Sequence, residues 1–196
     1  MLQRLGVEIV DLGVVRDDPA LLEAAFRTAA ASADAIVTTG GVSVGEADFV
    51  RQLMAKLGEV LFWKIAMRPG RPMAFGKIGD AFLFGLPGNP VAVMVTFYQF
   101  VRNALLMLQG TGDSFGVPLL NAVSSQSIRK VPGRTEYQRG VVHREDGEWR
   151  VRTTGQQGSG VLRSMSEANC FIVLEHERAA VKAGETVQVQ LFEGLT

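Results

Sequence analysis

Two segments of this chain share one design and lie about forty residues apart. Residues 35–49 read AIVTTGGVSVGEADF, and residues 81–95 read AFLFGLPGNPVAVMV. Each runs from a short apolar stretch through a glycine-rich turn into a helix start. In an open α/β sheet the turn between them lies at the carboxyl edge of the strands, where backbone N–H groups and helix N-termini receive anions and nucleotides. Two such loops in one small domain predict one site built from both.

The 196 residues suffice for one large domain or two small ones, and 47% hydrophobic with 20% charged residues marks a globular chain. Twenty basic and twenty acidic residues cancel, so the composition indicates no general affinity for nucleic acid or an anionic membrane. The single Cys170 excludes an internal disulfide and a multi-cysteine zinc site. It lies in an apolar strand-like run, which reads as a buried inert thiol in a reducing, cytoplasmic setting. No basic start followed by an apolar stretch marks a signal peptide. Residues 91–109 are the most apolar segment, but Gln99, Arg102 and Asn103 interrupt them. They read as a helix buried nearly all round, in a core or a subunit interface, rather than as a membrane span.

Residues 1–6 read as the last turn of a helix stopped by Gly6, and residues 7–15 as a strand. Asp18–Pro19 caps a helix, residues 34–39 form a strand, and a helix closed by Gly58 follows. Three short strands come next, the last two joined at Gly79–Asp80. Asn89 and Pro90 open the long helix, which Gly110 ends. This alternation predicts a partly parallel α/β sheet. A doubly wound domain opens on a strand and this chain opens inside a helix, so it reads as a piece of something longer. Beyond residue 112 the pattern changes to five short alternating runs, with a hairpin signal at Asp146–Gly147, which predicts a small β-barrel or sandwich.

Several segments carry candidate chemistry. Gly40 and Gly41 permit a tight turn and close backbone approach, Thr38, Thr39 and Ser43 supply hydroxyls, and Asp48 falls in the first turn of the next helix. Helix-dipole compensation explains Asp48 equally well. Gly41-Val42-Ser43-Val44-Gly45 also matches the nucleophile elbow of a serine hydrolase, with His143 or His176 as base and Asp80 or Asp113 as orienter. Both histidines fall in the β half, and the serine lies beyond the strand tip, so this is the weaker chemistry. Pro87-Gly88-Asn89 fixes a loop shape, with Asn89 as helix cap. Arg68 and Arg71 flank Pro69-Gly70, close to Lys64, and guanidinium forks on a stiff turn suit tetrahedral oxyanions, although solvated surface arginines fit the same pattern. In the β half, Arg134, Glu136 and Gln138 share a strand face, and Gly158-Ser159-Gly160 can form a backbone nest; strand-edge charges and a flexible loop are the plainer readings.

Taken in order, DLGVVRDDP, TTGGVSVGEADF, RPGRPMAFG, GLPGNPVA, GRTEYQRG and GSGVLRSMSEAN resemble the molybdopterin molybdenumtransferase family of the MoeA and gephyrin E-domain type. The resemblance implies a three-layer, MogA-like molybdopterin-binding α/β domain over residues 1–112, truncated at its start, followed by a small β-barrel-like C-terminal domain over residues 113–196. It implies adenylated molybdopterin and molybdate as substrates, insertion of molybdenum into the dithiolene with release of AMP, and a divalent ion such as Mg²⁺. By motif, Thr39, Gly40, Gly41 and Ser43 would line the nucleotide–pterin site, with Asp48 as the metal-linked carboxylate. Pro87, Gly88 and Asn89 would form the second wall. Lys64, Arg68 and Arg71 would bind substrate and hold molybdate, with Arg134 and Ser159 completing an oxyanion pocket. Arg68 and Arg71 stand where the family often has lysines. The family's N-terminal domains and first Tyr-Asp-Ser-Asn strand do not occur in this sequence. The resemblance further implies a homodimer and contacts with molybdopterin adenylyltransferase and molybdoenzymes. A non-catalytic module for pterin or nucleotide binding and dimerisation is the alternative from another class.

Overall fold

The computed structural model describes residues 1–41, 47–111, 117–158 and 160–192, with the backbone alone at residues 47–51, 62 and 63. The chain divides into two compact units, Met1–Ile65 with Gly70–Gly112, and Ala66–Pro69 with Asp113–Thr196.

In the first unit, α1 (Pro19–Ser32) starts where the Asp18 carboxylate accepts the N–H groups of Ala20 and Leu21 at 2.9 and 3.0 Å, with Pro19 in the first turn. That satisfies two of the orphan donors of the helix start. Next come β1 (Ala35–Thr39), α2 (Ala47–Leu57), β2 (Glu59–Lys64), β4 (Pro72–Ile78) and β5 (Ala81–Leu86). The sheet order is β1-β5-β4-β2, with β1 and β5 parallel and the other pairs antiparallel. The β4–β5 hairpin turns at Gly79–Asp80, with Gly79 at φ 59° as a tight turn requires.

Alternation along the strands builds two cores. Ile36, Ala74, Ile78, Ala81 and Leu83 pack with Phe26 of α1 and Met54 of α2. Met73, Phe84 and Leu86 pack on the opposite side with Phe97, Val101 and Leu105. Those last three belong to one continuous helical run, α3 (Pro90–Thr96), a π-helical turn (Phe97–Val101) and α4 (Arg102–Leu108). The unit is therefore a three-layer α/β domain. The run Pro90–Leu108 is long and apolar enough to cross a membrane by length and composition, yet 39% of it is buried inside the unit. It is buried along the face that meets the sheet rather than all round, and Met107 and Leu108 remain exposed.

The strand expected over residues 7–15 does not form. Gly13 turns to φ 66° and donates its N–H to the Asp11 carboxylate at 2.8 Å, which breaks the extended run. The helix turn at the start is a 3₁₀ turn, Leu2–Leu5, closed by Gly6 in the left-handed region as expected.

The second unit is a closed five-stranded barrel of β6 (Leu120–Ser124), β7 (Thr135–Glu145), β8 (Glu148–Thr153), β9 (Cys170–Leu174) and β10 (Thr186–Leu191). Closure depends on β7, which pairs with β9 from Glu136 to Gly140 and with β8 from Gly140 to Glu145. Gly140 is the corner: a Cβ there would lie 2.8 Å from Ile172 Cγ1 and 3.1 Å from Cys170 Sγ. The β7–β8 turn, Asp146–Gly147, has φ 49° and 84°, the type I′ pattern. A short α5 (Arg163–Ser166) precedes β9. One stretch departs from a division at residue 112. The two-residue strand β3 (Met67–Arg68) adds to β7 in parallel, so residues 66–69 belong with the barrel.

Cys170 is fully buried among Val142, Val151 and Val189, and burial pushes its thiol pKa up to about 12. It is expected to resist alkylation by iodoacetamide in the native protein at pH 8 and to react fully once unfolded; rapid native labelling would contradict the inert-thiol reading. At Gly76 a methyl group would sit 2.1 Å from the Glu59 carbonyl oxygen, a backbone clash that no rotamer relieves. Gly76→Ala is therefore expected to cost about 1–3 kcal/mol, and calorimetry should show a melting point lower by roughly 2–4 °C per kcal/mol.

Candidate functional site

The two glycine-rich loops meet. Because β1 and β5 run parallel with Thr39 opposite Leu86, both loops leave the sheet at the same carboxyl edge. The Gly40 N–H donates to the Leu86 carbonyl at 3.2 Å, tying the end of one strand to the other. A Cβ on Gly88 would stand 3.5 Å from Gly40 Cα, so the loop backbones touch. Gly40 and Gly41 adopt φ 83° and 68°, the left-handed region that glycine enters without steric cost. Thr39 is exposed at the strand end, Pro87 is buried, and Gly88 is exposed.

Asn89 is the N-cap of α3, and its Oδ1 accepts from the N–H groups of Val91 and Ala92 at 3.1 and 3.4 Å. Those two donors are thereby satisfied, so this loop offers a ligand its shape and its backbone more than a bare helix terminus. Asp48 lies in the first turn of α2, and its side chain is outside the described residues, as are Ser43 and Ser159 altogether. Lys64 and Arg71 are exposed in the first unit, and Lys64 pairs with Pro72 at the end of β2. The turn expected to present Arg68 and Arg71 together is the crossing between the units, with Arg68 on the barrel side and Arg71 on the other. Arg134 is exposed just before β7.

The barrel unit holds a cavity of about 570 Å³. Its charged lining is Arg68, Arg129, Arg139 and Glu136, an excess of positive charge. Arg68 Nη1 lies 3.8 Å from Glu136 Oε1, but its own side chain is 58% exposed and that pair is weak. The buried Glu136 also accepts from Gln138 Nε2 at 3.0 Å. Arg139 is only 1% exposed. Its Nε donates to Ser164 Oγ at 3.0 Å, and its Nη2 to the carbonyls of Gly158 and Gln156 at 2.9 and 3.5 Å. Among the described residues its partners are all neutral oxygens. Burial lowers its pKa and the neighbouring positive charge of Arg68 lowers it further, yet guanidinium stays charged near neutral pH. A buried cation without a counter-charge favours an incoming anion, and planar N–H forks match tetrahedral oxyanions.

The sequence pointed to Arg68 but passed over Arg139 and Arg129. The available signal was an arginine inside the alternating run of β7, three residues before Val142, which β7 contributes to the barrel core. Among the described residues no three His, Cys, Asp or Glu side chains gather as a metal site.

Comparison with known proteins agrees with both units. Residues 1–107 match the family model described as a probable molybdopterin binding domain, and residues 121–192 match the MoeA C-terminal region, domain IV. The chain is 45% identical to a molybdopterin molybdenumtransferase of Haemophilus influenzae over 196 residues, covering 100% of this chain and 48% of that protein. It is 37% identical to the protein of the same name from Bacillus subtilis, covering 95% of this chain and 43% of that protein. A solved structure of a molybdenum cofactor biosynthesis protein from Pyrococcus furiosus superposes with a TM-score of 0.75 at 28% identity, over 97% of this chain and 61% of that one. The chain thus spans a little under half the length of the curated relatives it matches. These relatives lend no support to a serine hydrolase at Ser43, a residue that follows two glycines beyond the last residue of β1. With both units matched in order, this chain belongs to the molybdopterin molybdenumtransferase (MoeA) family.

Proposed function

We propose that this chain supplies the pterin–nucleotide site and an oxyanion pocket for an enzyme that inserts molybdate into adenylated molybdopterin and releases AMP. One observation carries the reading: the two glycine loops touch at a single sheet edge, through the Gly40–Leu86 hydrogen bond and the approach of Gly88 to Gly40. That is the place where open α/β sheets bind nucleotides. The names of the relatives supply the substrate class.

In this reading Thr39, Gly40, Gly41 and Ser43 form one wall and Pro87, Gly88 and Asn89 the other. The open backbone of the glycines lets a phosphate approach closely. Lys64 binds substrate, Arg68 and Arg71 hold molybdate with Arg134 and Ser159 completing the oxyanion pocket, and the positive cavity beside Arg68 supports that role for the barrel unit. Molybdate and the pterin adenylate are both anionic, so positive groups are needed to bring them together. Asp48 is the carboxylate that a divalent ion such as Mg²⁺ would use. Since Mg²⁺ is held by one or two carboxylates together with substrate phosphates, no protein-only cage is required. Such an ion would polarise the phosphoanhydride. The assignment of residues 1–112 and 113–196 to these two tasks, a cytoplasmic setting, and contacts with molybdopterin adenylyltransferase and molybdoenzymes belong to the same proposal. Binding and dimerisation without turnover is its competitor, and molybdate-dependent hydrolysis separates the two.

Two measurements test it. In the full-length protein, Asp48→Ala is expected to lower molybdate-dependent hydrolysis of adenylated molybdopterin by about 100-fold, the usual worth of one positioned electrostatic group; undiminished turnover would remove Asp48 from the mechanism. A homodimer using the outer side of Pro90–Leu108, where Met107 and Leu108 are exposed, should sediment at twice the chain mass at micromolar concentration. A monomer under those conditions speaks against it.

A further inference from the structure

We infer that Arg139 and Gln157 form a reciprocal clamp that positions the loop 155–158 along the wall of the barrel cavity, making Arg139 a positioning residue for oxyanion binding there. The inference rests on the molybdate role proposed above. The side chain of Arg139 holds the main chain of the loop, through the carbonyls of Gln156 and Gly158. The side chain of Gln157 holds the main chain of β7 at the same residue: its Oε1 accepts the Arg139 N–H at 2.7 Å and its Nε2 donates to the Arg139 carbonyl at 3.0 Å. Thr154 adds its N–H and its hydroxyl to that carbonyl at 3.0 and 3.3 Å. Strand and loop are thus locked to each other from both sides at one point.

The loop so held is cavity wall. Gly155, Gln156 and Gln157 line the cavity, as do the cations Arg68 and Arg129. The far end of the clamp is anchored as well, because Arg139 Nε donates to Ser164 Oγ and that hydroxyl donates onward to the Val161 carbonyl at 2.5 Å. The guanidinium therefore spans from residue 156 to residue 164, a segment in which the described residues form no strand.

Purely mechanical fastening of a loop does not call for a buried charge. A neutral carboxamide could bond two carbonyls without the cost of desolvating a cation. A buried arginine kept for structure is ordinarily paired with a carboxylate, and among the described residues Arg139 has none. What the cation adds is a positive potential in a cavity already positive, and a loop fixed before the ligand arrives. Both lower the cost of binding an oxyanion and neither bears on an organic ligand bound elsewhere.

The experiment uses the full-length protein and its Arg139→Gln, Arg139→Lys and Gln157→Ala variants. Hydrolysis of adenylated molybdopterin is measured with molybdate varied at saturating pterin, and with pterin varied at saturating molybdate, alongside melting curves. Gln157→Ala is expected to raise the molybdate concentration for half-saturation about ten-fold, the worth of two neutral hydrogen bonds. Arg139→Gln should raise it about a hundred-fold, as charge-assisted bonds are stronger. Arg139→Lys keeps the charge but not the fork, so it should fall between wild type and Arg139→Gln. Half-saturation by adenylated molybdopterin should stay near the wild-type value throughout. If Arg139→Gln does not fold, the half-buried Gln157→Ala, which leaves the guanidinium in place, still gives the reading. Unchanged molybdate half-saturation in the folded variants overturns the clamp, and so does a parallel rise for both substrates, which marks a merely structural role. A wild-type rate that ignores molybdate is a different failure: it removes the proposed activity and the clamp's function with it.

Discussion

The parallel pairing of β1 with β5 decides the layout of the N-terminal unit. Parallel neighbours deliver their loops to the same edge; of the four strands only β4 runs the opposite way, joined to β5 by a hairpin, while β2, antiparallel to β4, runs in the same direction as β5. The register that sets Thr39 against Leu86 also sets Ile36 against Leu83 and Val37 against Phe84. The first of these pairs faces α1 and α2, and the second faces the long helix. A slip of one residue would turn each apolar set to the wrong face. It would also break the Gly40–Leu86 hydrogen bond and separate the two glycine loops. Core and candidate site are therefore fixed by one and the same constraint, and no separate device is needed to bring the loops together.

What could be read from the sequence follows the range of the interaction responsible. Asp18–Pro19 and Asn89–Pro90 start helices as expected, because a cap involves residues two or three apart. Gly79–Asp80 and Asp146–Gly147 turn where they should, because backbone conformation is local. A partly parallel α/β sheet and a small β-barrel or sandwich were legible from periodicity and turn spacing, whereas the three-layer arrangement was implied only by the family resemblance. Two features were not. Residues 7–15 have the alternation of a strand, but a strand exists only with a partner, and the local Asp11–Gly13 turn took the segment instead. Residues Met67–Arg68 look like the tail of the preceding strand, yet Thr135, sixty-eight positions onward in the chain from Met67, is what they pair with. The candidate site divides the same way. The glycine loops were visible as motifs, while Arg139 became visible only when the loop that surrounds it was in place.

In the proposed reading the two units would meet an anionic ligand by different means. At the sheet edge the donors are neutral backbone groups, and what matters is access, which the glycines provide. The Asn89 cap uses two helix N–H groups internally, so little positive potential is left there for a dianion. In the barrel the donors are guanidinium groups, one of them buried so deeply that it has lost its water. Arginine is the side chain best suited to that position. It is more weakly hydrated than an ammonium, so its burial costs less, and its fixed fork can satisfy several carbonyls at once without relinquishing its charge. An ammonium in the same place would hold fewer acceptors, and its pKa shifts readily with burial. The first arrangement favours a large ligand recognised by shape, and the second a small one recognised by charge. A chain that had to hold an organic phosphoanhydride and an inorganic oxyanion would need both kinds of surface, and the division of this chain into an α/β layer and a closed barrel provides one of each.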